Sequence, residues 1–192
     1  KTIRSNPLGF GIHSPYVYHL VTRVLFGKHD PLRNKVLLSF PINSQRRREL
    51  RTIVRLTDHF RPERIIFSGK EEETLLLRTF FPEIPVLSSL PEETGAGNVR
   101  EMIISASPAA FPEDIPAYGE EACWILRNCG NFEMKRLFDK LRLSKDVPLT
   151  IEVKNTAIIV FSWKFRKQDY VVNGSIVSDK GMLLMHKVIR LD

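Results

Sequence analysis

Few residues in this sequence are arranged in a way that could do chemistry. His13 and Ser14 are neighbours, as a base and a nucleophile would be, but no Gly-x-Ser-x-Gly turn is present to expose a nucleophilic serine. Pro15 and apolar residues at helical spacing follow, so Ser14 is better explained as a helix N-cap. The five histidines and two cysteines show no metal-ligand spacing, and no metal site is predicted.

A glycine and three acidic residues follow an early β-rich run. Gly69 and Lys70 lack the upstream glycine and the following Ser or Thr of a phosphate-binding loop. Glu71, Glu72 and Glu73 project to different sides of a helix, which disfavours a shared metal ion, whereas acids in a first turn stabilise a helix N-terminus. We therefore interpret the three acids as the start of a helix.

The most basic part of the chain lies in one predicted helix. The sequence has 29 Lys and Arg against 22 Asp and Glu, a net charge of +7, which permits an anionic partner such as nucleic acid. Residues four apart on a helix share a face. The candidate anion or nucleic-acid contacts are Arg46, Arg47, Arg48, Arg51 and Arg55. The alternative interpretation is a solvated helix face.

A second candidate anion site follows a strand in the middle of the chain. Arg127, Asn128 and Cys129 come directly after a short apolar run. Ligands of open α/β sheets bind beyond the carboxyl ends of the strands. These residues are therefore a hypothetical anion site, formed together with the basic N-terminal segment.

Two helices are predicted to precede the core. The first begins at Ser14 and Pro15 and ends at Gly27, and the second is capped by Ser44 and stopped by Pro62. Residues 1–10 contain an Asn-Pro pair and two glycines and are predicted to be irregular. Residues 27–43 are predicted to be a loop with one short apolar piece.

The core is predicted to alternate strands and helices. Helical patterns cover residues 71–81 and 132–143, the second capped by Asn131. Alternation of this kind indicates an α/β fold with a mostly parallel sheet, to which a C-terminal hairpin adds an antiparallel edge. The predicted strands lie at residues 64–69, 85–89, 99–105, 122–126, 149–153, 157–164 and 170–172.

Length and composition are typical of one globular domain. The chain has 192 residues, 43% of them hydrophobic, and no apolar run long enough to cross a membrane. We divide it into an N-terminal helical segment (1–62), an α/β core (63–172) and a tail (173–192). Charged residues interrupt every apolar stretch of residues 1–25, so no secretory signal is predicted. Together with two cysteines expected to be reduced, this predicts a cytoplasmic location.

One segment resembles a known family. Residues 11–18 read Gly-Ile-His-Ser-Pro-Tyr-Val-Tyr, which is similar to the N-terminal segment of a group of class I S-adenosylmethionine-dependent methyltransferases of Bacteroidota. Residues 55–62, 64–69, 131–141 and 149–170 resemble later parts of the same family in register. The resemblance implies a Rossmann-like methyltransferase fold, with the cofactor held at the carboxyl ends of the strands.

The positions that hold the cofactor in this family are altered. After the first core strand, the acid position is Phe67 or nearby, and only Gly69 remains of the glycines that let the nucleoside approach the backbone. Ser88 stands where the family has the acid that binds the ribose hydroxyls. Serines and an arginine replace the acids expected after later strands. Residues 90–98 are too few for a strand and a helix, so the fold is expected to be shortened by about one βα unit.

The sequence therefore supports three hypotheses. The first is a degenerate methyltransferase-like protein that has lost S-adenosylmethionine, needs no cofactor and acts as a binding or interaction module, with a protein partner or a second copy of the chain. The second is an active class I methyltransferase with a non-standard pocket, whose cofactor-proximal residues would be Ser68, Gly69, Ser88 and Asn128. The third is a basic nucleic-acid-binding protein that uses the arginines of the second helix.

Overall fold

The computed structural model describes residues 2–27, 30–90, 99–113, 115, 122–162 and 164–173. The predicted turn at residues 91–98 and the tail from residue 174 onward lie outside the described residues.

The described residues form a mixed α/β fold around an eight-stranded, mostly parallel sheet. The strand order is β1-β8-β6-β7-β5-β4-β2-β3. Within this sheet β7 alone runs antiparallel to its neighbours β5 and β6, which confirms the predicted hairpin. The strands are β1 (Thr2–Ser5), β2 (Arg64–Ser68), β3 (Val86–Leu87), β4 (Glu101–Ser105), β5 (Ala122–Leu126), β6 (Leu149–Val153), β7 (Thr156–Phe161) and β8 (Gln168–Val172).

The sequence predicted that the hairpin forms the edge of the sheet, but the structure places both of its strands inside the sheet. Strand β8 pairs in parallel with β6, and β1 pairs in parallel with β8 to form the edge. The prediction that residues 1–10 are irregular was therefore wrong for Thr2–Ser5. Strand β1 is only four residues long, and its partner β8 lies more than 160 residues later in the sequence. No local sequence pattern therefore predicts it.

The helices cover both faces of the sheet. A short α1 (Pro15–His19) continues as a π-helix (Leu20–Leu25), in which Phe26 N donates to Val21 O at 3.0 Å. A 3₁₀ turn (Pro108–Ala110) follows β4. The remaining helices are α2 (Pro31–Ser39), α3 (Ser44–Phe60), α4 (Glu71–Phe80) and α5 (Phe132–Leu143).

Helix α2 corrects the prediction of a loop over residues 27–43 and of only two N-terminal helices. Asp30 caps it by accepting from Leu32 N at 2.9 Å, and Pro31 occupies the first turn. Leu37 is buried whereas Leu32 is 77% exposed. The helix thus lacks a continuous apolar stripe, which is why its periodicity is weak in the sequence.

The capping residues follow local rules. Ser14 accepts from Val17 N at 3.4 Å and Asn131 from Glu133 N at 2.8 Å, which confirms both predicted caps. The N-cap of α3 is Asn43, which accepts from Arg46 N at 2.9 Å, and not Ser44 as predicted. The backbone of Asn43 is extended and leaves its side chain free to reach back, whereas Ser44 is already helical.

The two faces of the sheet are covered by different sets of helices. Ile65 and Phe67 point to one face, where α1, the π-helix, α2, α3 and α4 cover them. Ile66 and Trp124 point to the other face, which in the described part of the chain is packed by α5 and by the segment after β4. There Phe111 contacts Trp124 with ring centroids 5.5 Å apart. The second face is therefore covered by a single α-helix among the described elements.

Candidate functional site at the carboxyl ends of the parallel strands

The four residues predicted to lie near a cofactor all lie at the carboxyl-terminal edge of the sheet, the edge that the ends of the parallel strands form. Strands β2, β3, β4 and β5 are parallel, so their carboxyl ends coincide. Ser68 pairs with Ser105 across β2 and β4, and Gly69 follows it. Ser88 follows β3, and Asn128 follows β5 after Arg127. This edge is the position at which an open α/β sheet binds a ligand.

Arg127 occupies the centre of this edge and is 2% exposed. Its backbone N–H donates to Ser105 O at 2.7 Å, which fixes it beside the end of β4. Its guanidinium donates to both carboxylate oxygens of Glu73, from Nη1 to Oε2 at 3.2 Å and from Nη2 to Oε1 at 3.4 Å. Nη2 also donates to Glu49 Oε2 at 3.0 Å. Arg127 is thus a buried cation held by two acids.

A second arginine closes the arrangement. Arg46 Nε lies 2.9 Å from Glu73 Oε1, and Arg46 Nη1 lies 3.2 Å from Glu49 Oε2. Two cations and two anions therefore alternate around a ring, and their formal charges cancel. We call Arg46, Glu49, Glu73 and Arg127 the ion cluster. It joins the first turns of α3 and α4 to the end of β5.

Burial within the ion cluster is uneven. The side chain of Glu73 is 1% exposed, whereas those of Glu49 and Arg46 are 23% and 31% exposed. Glu73 lies in the first turn of α4, where the helix dipole also favours a negative charge. The interpretation of the three acids as a helix start was therefore correct but incomplete, because Glu73 also neutralises Arg127.

The space beside Gly69 is filled by the chain itself. A Cβ atom built on Gly69 would lie 2.3 Å from Phe67 Cε1 and 2.8 Å from Glu73 Oε2. The Phe67 ring is 2% exposed and lies under the Arg127 guanidinium, 5.7 Å from its Cζ. The glycine therefore permits the close approach of a side chain from its own domain.

The geometry argues against the hypothetical anion site at residues 127–129. The charge of Arg127 is neutralised by Glu73 and Glu49. Cys129 is buried, and burial raises the pKa of its thiol to about 11, so it is neutral near pH 7. Only Asn128 is exposed, and its φ of 58° places it in the left-handed region that asparagine tolerates. Its carbonyl accepts from Asn131 N at 2.9 Å, so Asn128 forms the turn into α5.

The arginines of α3 do not form one free basic face. Arg47 donates from Nε to Leu37 O at 3.2 Å and from Nη2 to Ile42 O at 3.0 Å. Arg55 donates to the carbonyls of Leu25, at 2.9 Å, and Gly27, which end the π-helix. Together with Arg46 in the ion cluster, three of the five arginines thus bind groups of their own domain. Arg51 is half-buried, and Arg48 is exposed.

An open groove of about 700 Å³ lies beside the candidate site, between the segment after β4 and the first three turns of α5. No sequence motif predicts this groove, because residues of two separate elements form it. Its lining residues are Ser107, Pro108, Ala109, Phe132, Glu133, Arg136, Leu137 and Lys140.

The described residues contain no group of three or more His, Cys, Asp or Glu side chains that could hold a metal ion. None of the helices in the described part of the chain has the length and hydropathy that crossing a membrane requires. Comparisons with protein-family models, curated proteins and solved structures give no match.

Proposed function

We propose that this protein is a methyltransferase-like domain that no longer binds S-adenosylmethionine and acts as a binding module for a partner protein. The observation that carries the proposal is the ion cluster, in which Arg127 occupies the end of β5 and Glu73 closes the side-chain face of Gly69. The resemblance at residues 11–18 supplies the family, and the parallel sheet with its antiparallel strand β7 is compatible with the fold that the family implies.

Gly69 is open to solvent on one side and closed on the side where a side chain would stand. A nucleoside could approach that closed side only if the Phe67 ring and the Glu73 carboxylate moved away. Moving Glu73 would leave Arg127 buried with one of its two acids. Removing one partner of a buried ion pair typically costs about 3–5 kcal/mol. Cofactor binding would have to offset that cost.

The charge of the cofactor also disfavours its binding at these strand ends. S-adenosylmethionine carries a sulfonium cation, and its ribose hydroxyls donate hydrogen bonds, so both favour carboxylates. The two carboxylates of the ion cluster, Glu49 and Glu73, already bind arginines. At the end of β3, the exposed Ser88 offers one hydroxyl where two ribose donors need an acceptor. The residues present therefore do not fit the cofactor.

Isothermal titration of the full chain with S-adenosylmethionine, and with its demethylated product, tests the proposal. We expect no binding heat at ligand concentrations up to the millimolar range, and no shift of the Gly69 amide resonance in a parallel NMR titration. Adenosine serves as a control for weak stacking. Micromolar binding of either cofactor form with a shift at Gly69 would establish the alternative of an active enzyme with a non-standard pocket.

Nucleic-acid binding through α3 is the weaker hypothesis on the same geometry. Electrostatic binding to phosphates needs cations that are free to release counterions. Arg46, Arg47 and Arg55 are instead held by internal acceptors. A domain that uses neither a cofactor nor this helix must bind its partner elsewhere on its surface.

A further inference from the structure

The groove beside α5 combines apolar walls with an opening to solvent. Phe132, the first residue of α5, is 80% exposed, and it faces Pro108 and Ala109 of the segment after β4 across a groove that also includes Leu137. An exposed apolar residue on its own is common on protein surfaces. A cluster of apolar side chains around one groove instead marks a surface that a partner covers.

The charge of the groove is positive. Arg136 and Lys140 lie one helical turn apart on α5, and Glu133 is the one acid among the described lining residues. Two further acids near α5 are paired with other cations, since Asp139 binds Arg142 at 3.0 Å and Glu152 binds Lys135 at 3.1 Å. Arg136 forms no ion pair with another described residue. Lys140 Nζ donates to a carbonyl oxygen, that of Glu113, and forms no ion pair with an acid of the described residues.

We infer that this groove is the docking site for an acidic peptide segment of a partner protein, anchored by an apolar side chain against Phe132 and Leu137. The inference rests on the proposed function, since it names the partner of the binding module. Small-molecule pockets enclose most of their ligand, whereas this groove is open to solvent and suits a chain segment. Recognition of an apolar anchor flanked by acids follows from charge complementarity with Arg136 and Lys140.

Selection from a random-peptide display library with the full chain as bait tests the inference. We expect the enriched peptides to carry Trp, Phe or Leu beside Asp or Glu. Synthetic fluorescein-labelled versions are then titrated by fluorescence anisotropy. We expect Phe132→Asp and Arg136→Glu each to weaken binding by about tenfold or more, because each removes an anchor contact or reverses a complementary charge.

Two matched variants on the same helix and the turn that follows it provide controls. Leu143 is also 80% exposed but lies outside the groove, so Leu143→Asp matches Phe132→Asp in exposure and chemistry. Lys145 is exposed and outside the groove, so Lys145→Glu matches Arg136→Glu in charge change. We expect both controls to bind within about twofold of the unaltered chain, and circular dichroism to show all four variants folded.

Three results of the peptide experiments would overturn the inference. The first is a selection that yields no consensus of acidic and apolar residues. The second is a peptide that binds Phe132→Asp and Arg136→Glu as tightly as it binds the unaltered chain. The third is a peptide whose binding the two control variants weaken as much as Phe132→Asp and Arg136→Glu do. Binding of a labelled single-stranded RNA that Arg136→Glu abolishes, without any peptide binding, would also overturn it. The cofactor titration is independent: micromolar S-adenosylmethionine binding with groove-dependent peptide binding would refute the proposed function and leave the docking site standing.

Discussion

Arg127 and Glu73 carry opposite charges in a part of the protein that excludes water. A buried ion pair is weak support for stability when it replaces apolar contacts, but loss of one partner leaves a charge that nothing solvates. In the ion cluster each acid contacts two arginines. The cluster therefore acts as a unit, and the effect of one substitution depends on which charges remain.

We predict that Arg127→Met lowers the free energy of unfolding by about 3–5 kcal/mol, because it leaves Glu73 buried with Arg46 as its remaining cation. The double variant Arg127→Met, Glu73→Leu should recover much of that loss, since Arg46 and Glu49 can still pair. Urea unfolding of the single and double variants measures both effects.

The matched control is Arg142→Met. Arg142 pairs with Asp139 at 3.0 Å but is 29% exposed, so its loss should cost about 1 kcal/mol or less. Equal costs for Arg127→Met and Arg142→Met would contradict a buried, water-excluding cluster. So would a double variant that is less stable than Arg127→Met alone.

Residue-scale prediction from the sequence worked where donor and acceptor are close in the chain. Ser14 and Asn131 were identified as caps because the groups they bind lie two or three residues away. Glu73 and Arg127 are separated by 54 residues, and no local pattern in either segment predicts that they form an ion pair. The available signal was an arginine directly after a fully buried strand, since a buried guanidinium requires an acid.

At the scale of elements, α1 contacts α3 through aromatic rings, at the end of α3 opposite the ion cluster. The Tyr16 ring lies 4.5 Å from the Phe165 ring and 5.8 Å from that of His59, between centroids. His19 on α1 lies 5.9 Å from His59 on α3. Burial, and then repulsion from His19, lower the pKa of His59. The contact between these two helices is therefore sensitive to protonation.

We predict that the protein becomes less stable as the pH falls below about 6.5, the ordinary pKa of histidine. His59 has a lower pKa when folded than when unfolded, so the unfolded chain binds the proton more tightly in that range. The contribution is fully present above the unfolded pKa and is lost as the pH drops toward the folded one. Urea unfolding between about pH 5 and pH 8 measures the slope.

His59→Gln should reduce that slope, because the titrating group is gone. His13→Gln serves as the control, since His13 is exposed and forms none of these ring contacts. A slope that His59→Gln leaves unchanged would show that other groups set the dependence.

Elements with strong apolar periodicity were predicted and those without it were missed. Helices α3, α4 and α5 each bury one stripe against the sheet, and their positions follow from the sequence. Helix α2 buries Leu37 but exposes Leu32 and Leu38, so its pattern is irregular. Tertiary contacts support α2: Arg47 of α3 donates to Leu37 O, and Arg33 pairs with Asp58.

At the scale of the whole molecule, the two ends of the described chain join in one sheet. Strand β1 pairs with β8, and Asn173 N donates to Ser5 O at 2.9 Å beyond the last paired residues. The sequence predicted a strand at residues 170–172 but an irregular segment at residues 1–10, so this pairing was missed. The pairing could not be predicted, because register between distant strands depends on tertiary packing.

We predict that β1 stabilises β8 by covering its outer edge. Ile3 packs against the main core cluster, whereas its neighbour Thr2 is exposed, so the two residues face opposite sides of the sheet. Ile3→Asp places a charge on the apolar side and should cost about 1–3 kcal/mol, with faster hydrogen exchange of the β8 amides. Thr2→Asp should leave both stability and exchange nearly unchanged.

Hydrogen exchange of the β4 amides, deep in the sheet, distinguishes local unfolding of the sheet edge from global unfolding. If Ile3→Asp speeds exchange in β8 alone, the edge is released locally. An equal increase in β4 would mean that β1 is part of the global folding unit. Unchanged exchange in Ile3→Asp would contradict the pairing of β1 with β8 in solution.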